Sequence, residues 1–563
     1  MGDSWMAGPQ VQVLTSRTAS PMIRTTVLAS IAPLALTLPA SAQGPLPPPP
    51  VPPQNPQTAE KAVLGKMLFW DEQLSSDGTM ACGTCHQPGH GGSDPRATGV
   101  PAHPGRDGIL GTADDVFGSP AMHGSNAFGH FVEDPEFGFA VKATDRYSPS
   151  MVAAAYFPEL FWDGRASGTF VDPLTGGVVI PQGGALETQS LSPILSDVEM
   201  AWSGRSWAEV TDRLAAAEPM AMASNLTPDM TAALAADGSY PELFEAAFGT
   251  DEITPVRIAF ALAAYQRTLV PDQSKFDRVM RGQANFTPQE NNGFGAFRSP
   301  GSRCNQCHSG SLFSDGQYHN LGLRPIGEDD GRRGVTGQFG DRGRFKTPSL
   351  RNVDLRGRFF HTGAPGIDNL NDVLEFYDDD GGPFGQNKDP LMNNLNVPPF
   401  VRADLTAFLR TLTDPRVANE TAPFDRPSLW SERFATNPAP LPFGAVAGEG
   451  GFVPQIIATA PPKSGNGGFR VGLHGAVGGT FAVLKVNLVA IPGAATVVDL
   501  RNGLPLAQTV QGVGAGEGTA TWIDPDATAP VLVGLTYEAQ WLVRDFSAPN
   551  NIARSQAVLI TIE

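Results

Sequence analysis

Cys82-Gly83-Thr84-Cys85-His86 and Cys304-Asn305-Gln306-Cys307-His308 decide how this chain is read, because together they use all 4 of its cysteines. In a Cys-x-x-Cys-His stretch the two thiols stand one helical turn apart, the spacing that lets them add to the two vinyl groups of one porphyrin. The next residue then supplies an imidazole to the iron. A single pair also fits a redox dithiol or half of a zinc cage. Two complete copies, each followed by histidine and with no cysteine left over, favour two covalently bound c-type haems over a zinc site built from four cysteines. The zinc site would leave both histidines without a role. Cys82, Cys85, His86, Cys304, Cys307 and His308 are therefore the candidate haem-binding residues, with His86 and His308 as iron ligands.

Upstream of the first motif, residues 1–43 read as an N-terminal signal segment. Met22-Ile23-Arg24 is the charged part, Thr25 to Leu38 the apolar part and Ala40-Ser41-Ala42 a small-residue cleavage site. The apolar part is too short to cross a bilayer, so no membrane span is expected. Export suits the haems, and the absence of spare cysteines leaves no disulfide framework. The expected location is periplasmic or otherwise exported. A net charge of -18 over 563 residues, with no Lys/Arg-rich run, argues against nucleic acid and fits solubility or a basic partner such as a small electron donor.

Residues 44–56 form a proline-rich linker, Pro47 to Pro50 being four prolines in a row, and should be an extended spacer rather than part of a core. Residues 57–250 carry helical signals: Thr58 as a cap ahead of Leu64, Met67 and Leu68 on one face, and a Ser206/Glu209 capping box for a helix ending near Ala217. Residues 251–423 restart the pattern. Thr254 caps a segment that begins at Pro255 and carries Ile258, Leu262, Tyr265 and Leu269 on one stripe. Thr287 to Glu290 opens another helix, and Val401, Leu405, Phe408, Leu409 and Leu412 close the unit. From 440 to 563 the chain turns to short β-rich runs: 452–458, 469–473, 481–489, 496–500, 518–523, 531–543 and 557–562. They are separated by Gly, Pro, Asn and Asp. The expected fold is mainly α: two cytochrome c-like helical domains followed by a C-terminal all-β, sandwich-like domain of structural or binding character.

At this point the chain resembles the bacterial di-haem cytochrome c peroxidase family, which includes the MauG-type oxidases. The likeness is carried by Leu64 to Asp71, Phe161-Trp162-Asp163-Gly164-Arg165, Gln189 to Met200 and Arg267-Thr268-Leu269. It continues through Phe345 to Asn352, Phe360-His361-Thr362-Gly363 and Asp404 to Leu409. It covers about residues 57 to 420, and the β-rich tail lies outside it. The resemblance implies a peroxidatic domain at 57–250 and an electron-transfer domain at 251–423, reducing hydrogen peroxide to water with electrons from a small periplasmic cytochrome or copper protein. A haem with an open face becomes a peroxidase only when a nearby group moves a proton between the two peroxide oxygens. In the family this is a glutamate ten residues after a glutamine, which here gives Glu199 and Gln189. Trp162 matches the tryptophan between the two haems. At the second haem the resemblance implies a methionine as sixth ligand in peroxidases and a tyrosine in MauG-type oxidases. Tyr377 stands near that place, with Met392 nearby.

Other implied features are less regular. Arg351 and His361 belong to the second haem's surroundings, with propionate pairing the expected role of the arginine. The loop between His86 and Arg146 is longer than is typical, and His90, His103, His123 and His130 are candidates for a histidine that caps the first haem. The family's interdomain calcium uses an Asn shortly before a proline, where this chain has Tyr147. A second acidic stretch, Asp107 to Asp115, reads as a plain acidic loop or a hard-cation loop. Two alternatives to the peroxidase stay open: a MauG-type oxidase modifying a partner protein, and a non-enzymatic di-haem electron carrier.

Overall fold

The computed structural model describes residues 45–99, 101–105, 109–112, 114–363, 365–433, 439–441, 444–464, 466, 468–490, 506–523 and 532–563. The signal segment at 1–43, Asp107 of the acidic loop and the expected strand at 496–500 lie outside the described residues.

Helix α1 (Ala59–Trp70) starts where the Thr58 hydroxyl accepts the Lys61 N–H at 3.2 Å, satisfying a donor that the first turn leaves free. It leads to α2 (Cys82–Cys85), the single turn that carries the first motif. A hairpin of β1 (Pro120–His123) and β2 (Val141–Ala143) follows. Then come α3 (Ala185–Leu195) and α4 (Pro255–Gln266), the latter capped by Thr254. The second motif is preceded by α5 (Pro288–Phe297), carried on α6 (Cys304–Cys307) and followed by α7 (Leu370–Asp378) and α8 (Pro399–Arg410).

The two motifs share one construction. Helices α1 and α4 cross so closely that a β-carbon on Gly65 would lie 1.8 Å from the Ala261 carbonyl oxygen. Helices α5 and α8 cross in the same way, and a β-carbon on Gly293 would lie 1.9 Å from the Asp404 oxygen. Only glycine permits either approach. Around the first crossing lies a core containing Leu64, Trp70, Phe244, Leu262 and Tyr265; around the second, one containing Phe276, Phe297, Phe313, Leu405 and Phe408.

The domain limits read from the sequence need two corrections. Helix α4 joins the first core rather than opening the second unit, and Val417, Phe424 and Leu429 bring the chain back to that first core. Lys66 in α1 pairs with Asp425 at 3.0 Å across this return. An apolar stripe shows that a helix is buried but not against what. The proline-rich segment is also more than a spacer. Leu46 is buried with Ala153 and Leu312, Tyr156 donates its hydroxyl to the Pro47 carbonyl at 2.6 Å, and Arg267 donates to the Pro50 carbonyl at 3.2 Å. An extended proline stretch makes no hydrogen bonds of its own, so its carbonyls accept from the body instead.

Beyond residue 440 the helices give way to strands β3 (Gln455–Ile457), β4 (Arg470–Ala476), β5 (Phe481–Ala490) and β6 (Leu506–Thr509). They are followed by β7 (Gly518–Ile523), β8 (Thr536–Arg544), β9 (Ile552–Arg554) and β10 (Val558–Thr561). One antiparallel sheet runs β6-β5-β8-β10 and ends on residues 439–440, with β9 also on β8; another runs β7-β4-β3. Leu473 of the smaller sheet and Leu484, Trp541 and Ile560 of the larger share one core, and the Trp541 indole donates to the Gly472 carbonyl at 2.9 Å. The whole described chain thus combines helices with several small sheets. No helix among the described residues is long and apolar enough to cross a membrane.

Candidate active site

A cavity of about 630 Å³ lies beside the first motif, and Cys82, Cys85 and His86 line it. The motif turn sits where it does because Trp70 packs flat on Gly83: a β-carbon there would be 2.2 Å from the indole. Trp70 is itself fixed by its N–H, which donates to the Tyr265 hydroxyl of α4 at 3.0 Å. His86 Nδ1 lies 3.1 Å from the Gly92 carbonyl, which leaves Nε2 as the nitrogen available to a metal. His308 repeats the arrangement, with Nδ1 2.9 Å from the Phe313 carbonyl.

These observations fit a haem. The cavity has the volume of a cofactor site, apolar walls that include Phe69, Met80 and Leu262, two thiols at the required spacing and a histidine oriented through its other nitrogen.

Gln189 and Glu199 line the same cavity, Gln189 from α3 and Glu199 from the turn that follows it. Burial pushes the Glu199 carboxyl above its ordinary range, opposed by a hydrogen bond from Ser196 and the positive charge of Arg165. Its field reaches both thiols of the first motif. Arg165, to which sequence reasoning gave no role, also lines the cavity; its guanidinium lies 3.6 Å from the Phe161 ring centroid and pairs with Asp163 at 3.1 Å.

Trp162 is buried on the cavity wall. Its indole N–H donates to the Tyr147 carbonyl and its own carbonyl accepts the Lys346 N–H, both at 2.7 Å. The segment that begins at Lys346 joins the two motifs: Pro348 lines the first cavity while its carbonyl lies within reach of the His308 ring. His361 stands at this seam, stacked on Phe345 at 3.5 Å and edge-on to Trp162 at 6.3 Å. Burial lowers its pKa to about 3, so it is a neutral imidazole, and its Nε2 has no hydrogen-bond partner. Lys346 is a second residue the sequence did not single out. Its ammonium donates to the Glu159 carbonyl at 2.7 Å, and burial lowers its pKa to about 7. A lysine in an alternating stretch reads as solvent-facing, so no local signal marked it.

The structure corrects the expectation for Arg351. Its guanidinium makes a buried two-pronged pair with Asp277, at 2.9 Å on each side, and donates to the carbonyls of Ser311 and Pro271. Four of its N–H groups are thereby engaged, which leaves it a packing role rather than a propionate. A cation does stand near the first motif without a carboxylate partner among the described residues: Arg356 donates to the Ser148 carbonyl at 3.3 Å, and its charge adds to the burial that chiefly lowers the His86 pKa.

The loop histidines do not cap the first site. His90 and His130 are exposed, His103 packs edge-on to Phe137 at 4.9 Å, and His123 Nδ1 is 2.9 Å from the Phe139 carbonyl. None of the four lines the cavity. At the second motif, burial raises the pKa of Tyr377 in α7, and the fields of the Cys307 and Cys304 thiols add to the rise. Met392 is buried against Gly381.

The profile of the di-haem cytochrome c peroxidase family matches residues 59–285. The methylamine utilization protein MauG of Paracoccus denitrificans is 30% identical over 440 residues, spanning 69% of this chain and 96% of the relative. The chain belongs to the di-haem cytochrome c peroxidase family. Cytochrome-c peroxidase IdrP1 of Pseudomonas sp. (strain SCT) is 29% identical over 430 residues, 70% of this chain and 91% of the relative. Cytochrome c551 peroxidase of Nitrosomonas europaea is 29% identical over 320 residues, 56% of this chain and 72% of the relative. Membership in the di-haem cytochrome c peroxidase family implies haem c as the cofactor.

Proposed function

We propose that this family member reduces hydrogen peroxide to water at the first cavity, with electrons that arrive through the second unit from a small exported cytochrome or copper protein. The observation that carries the reading is Glu199 on the wall of the cavity lined by Cys82, Cys85 and His86. When bound, the haems supply an iron that takes up peroxide and a second iron that stores an electron. The Glu199 carboxylate takes the proton from one peroxide oxygen and returns it to the other, so that the departing oxygen leaves as water. A pKa raised by burial suits a group that accepts a proton and then gives it back near neutral pH. Gln189 holds the peroxide by its amide beside Glu199, and Trp162 links the first cavity to the Lys346–Pro348 segment that reaches His308. Two electrons and two protons per peroxide give two waters.

In the same reading, each cysteine pair is joined to its haem through thioethers, residues 1–43 direct export, and the C-terminal strands form a sandwich-like module. Calcium is left out at the interdomain position. Tyr147 offers no carboxamide there, and Arg146 already neutralises Asp163 and Asp329, each at 2.7 Å. The test is peroxide consumption by the haem-loaded protein with a reduced small cytochrome as donor, alongside mass measurement. A mass without two haems, or no peroxide-dependent oxidation of any donor, removes the reading.

A second reading is favoured by Tyr377 near the Cys304 and Cys307 thiols. A phenolate ligand stabilises higher oxidation states of iron, as a MauG-type oxidase of a protein partner requires. A low-spin His/Met signal from the second haem in electron paramagnetic resonance would eliminate it.

A further inference from the structure

The hairpin of β1 and β2, with the loop between them, supplies part of the first cavity's wall through Ala121, Glu136, Phe137 and Ala143. On its other side it is gripped by the C-terminal strands. The Phe131 N–H donates to the Thr521 hydroxyl of β7 at 3.0 Å. The Phe131 ring lies against Gly472 of β4, where a β-carbon would come within 2.3 Å of it. Above that ring sits the Arg470 guanidinium, 4.6 Å from its centroid, donating to the Gly129 carbonyl at 2.7 Å and standing 3.4 Å from Asp77. Phe139 stacks on His474 at 5.0 Å.

Both ends of this clasp lead to the site. Asp77 orders the turn before the first motif by accepting from Thr79 N–H and hydroxyl at 3.1 and 2.6 Å. Lys142 in β2 donates to the carbonyl of Asp197, two residues before Glu199, at 3.0 Å, and pairs with Asp134 at 3.2 Å. The Arg470 side chain is 5% exposed and that of Asp77 2%, so the contact is inside the protein rather than a surface touch.

We propose that the C-terminal β-rich segment is a brace that holds the β1–β2 hairpin over the first cavity, with Arg470 as its positioning residue, and so limits the size of molecule that reaches the first haem. It does this without touching the reacting atoms. Loosening the brace lets the hairpin open locally, and the cavity admits larger ligands. The inference rests on the reading that the first cavity holds the reactive haem, and the test separates the two.

Two variants keep the packing and remove the grip: Arg470→Met, whose side chain still covers Phe131, and Thr521→Val. Arg544→Met, at the exposed end of β8 where the guanidinium lies over Phe546, is the control. With the haem-loaded full-length protein, association rates of cyanide and of imidazole are followed by absorbance, and hydrogen exchange is followed in peptides spanning residues 119–145. Loss of one or two hydrogen bonds should raise the imidazole-to-cyanide rate ratio by about 3- to 10-fold, speed exchange in those peptides alone, and leave Arg544→Met like the parent. An unchanged ratio in both variants overturns the brace, whether or not exchange rises. A ratio that rises equally in Arg544→Met also overturns it, because the effect is then general loosening. If neither ligand perturbs the spectrum of the parent protein, the first-cavity reading itself has failed.

Discussion

Around Cys82–His86 the helices enclose a cavity of about 630 Å³ with a carboxylate on its wall, whereas around Cys304–His308 the neighbours are packed phenylalanines and the phenol of Tyr377. Both histidines are set by the same means, a glycine-permitted helix crossing behind the motif and a backbone carbonyl on Nδ1. The shared parts place a haem ligand; the unshared parts decide what the haem can do. In the second unit Phe276, Phe313 and Phe408 lie with ring centroids 4.9 to 6.2 Å apart, and the Phe313 carbonyl is the one on His308. The ring cluster stiffens the frame behind His308, while the first cavity leaves room for a substrate beside its own motif.

The sharpest way to break this comparison is Glu199→Gln. If the carboxylate moves the proton, peroxide turnover falls by about 10² to 10⁴ while both haems remain attached and the second haem's spectrum is unchanged. Turnover measured with excess reduced donor checks it; retained turnover would mean that the first cavity is no more specialised than the second.

The next effect belongs to the second unit. Arg351 and Asp277 have side chains 1% and 0% exposed, and removing one partner strands a buried charge. Arg351→Ala should cost about 3 to 5 kcal/mol in denaturant unfolding, and Arg351→Met with Asp277→Leu should recover most of that loss. A cost below 1 kcal/mol, roughly the value of an exposed pair, would contradict the packing role.

A smaller effect sharpens the contrast between the irons. Tyr377→Phe should alter the second haem's low-spin signal and shift its midpoint potential on the order of 0.1 V, a fraction of the roughly 0.8 V that axial ligands command. The first haem should not respond. Identical signals before and after the substitution would return Tyr377 to the core and leave Met392 as the ligand to test.

What the sequence revealed of this comparison follows from distance along the chain. The haem residues were legible because the whole constellation fits in one turn, and the caps at Thr58, Ser206, Thr254 and Thr287 because each acts within three residues. Glu199 was legible only through the family likeness; alone it is a carboxylate in a polar turn. Arg351 misled because its partner Asp277 is 74 positions away, and Leu46 because a proline run gives no hint that its carbonyls will be used. The return of Val417 and Phe424 to the first core left no periodic signal, since the helix there is a single turn. The brace pairs Gly129 with Arg470 across 341 positions, beyond any local pattern.

The finest probe of the comparison is the acid limb of the pH profile. Burial raises the Glu199 pKa, so the active carboxylate is lost as pH falls through a value above the roughly 4.3 of a free glutamate. With Glu199 as the group that moves the proton, the acid limb of kcat/KM for peroxide should follow its titration. Arg165 opposes the rise, and its loss in Arg165→Met should move the limb to higher pH. Its side chain is 47% exposed and it is the smallest of the named influences, so the displacement should be smaller than that of a direct buried contact. Movement toward lower pH would show that Arg165 acts on the cavity by some route other than its charge. An unmoved limb with lower activity at every pH would assign it to binding the substrate, and the proton affinity of Glu199 would then rest on its burial and on Ser196.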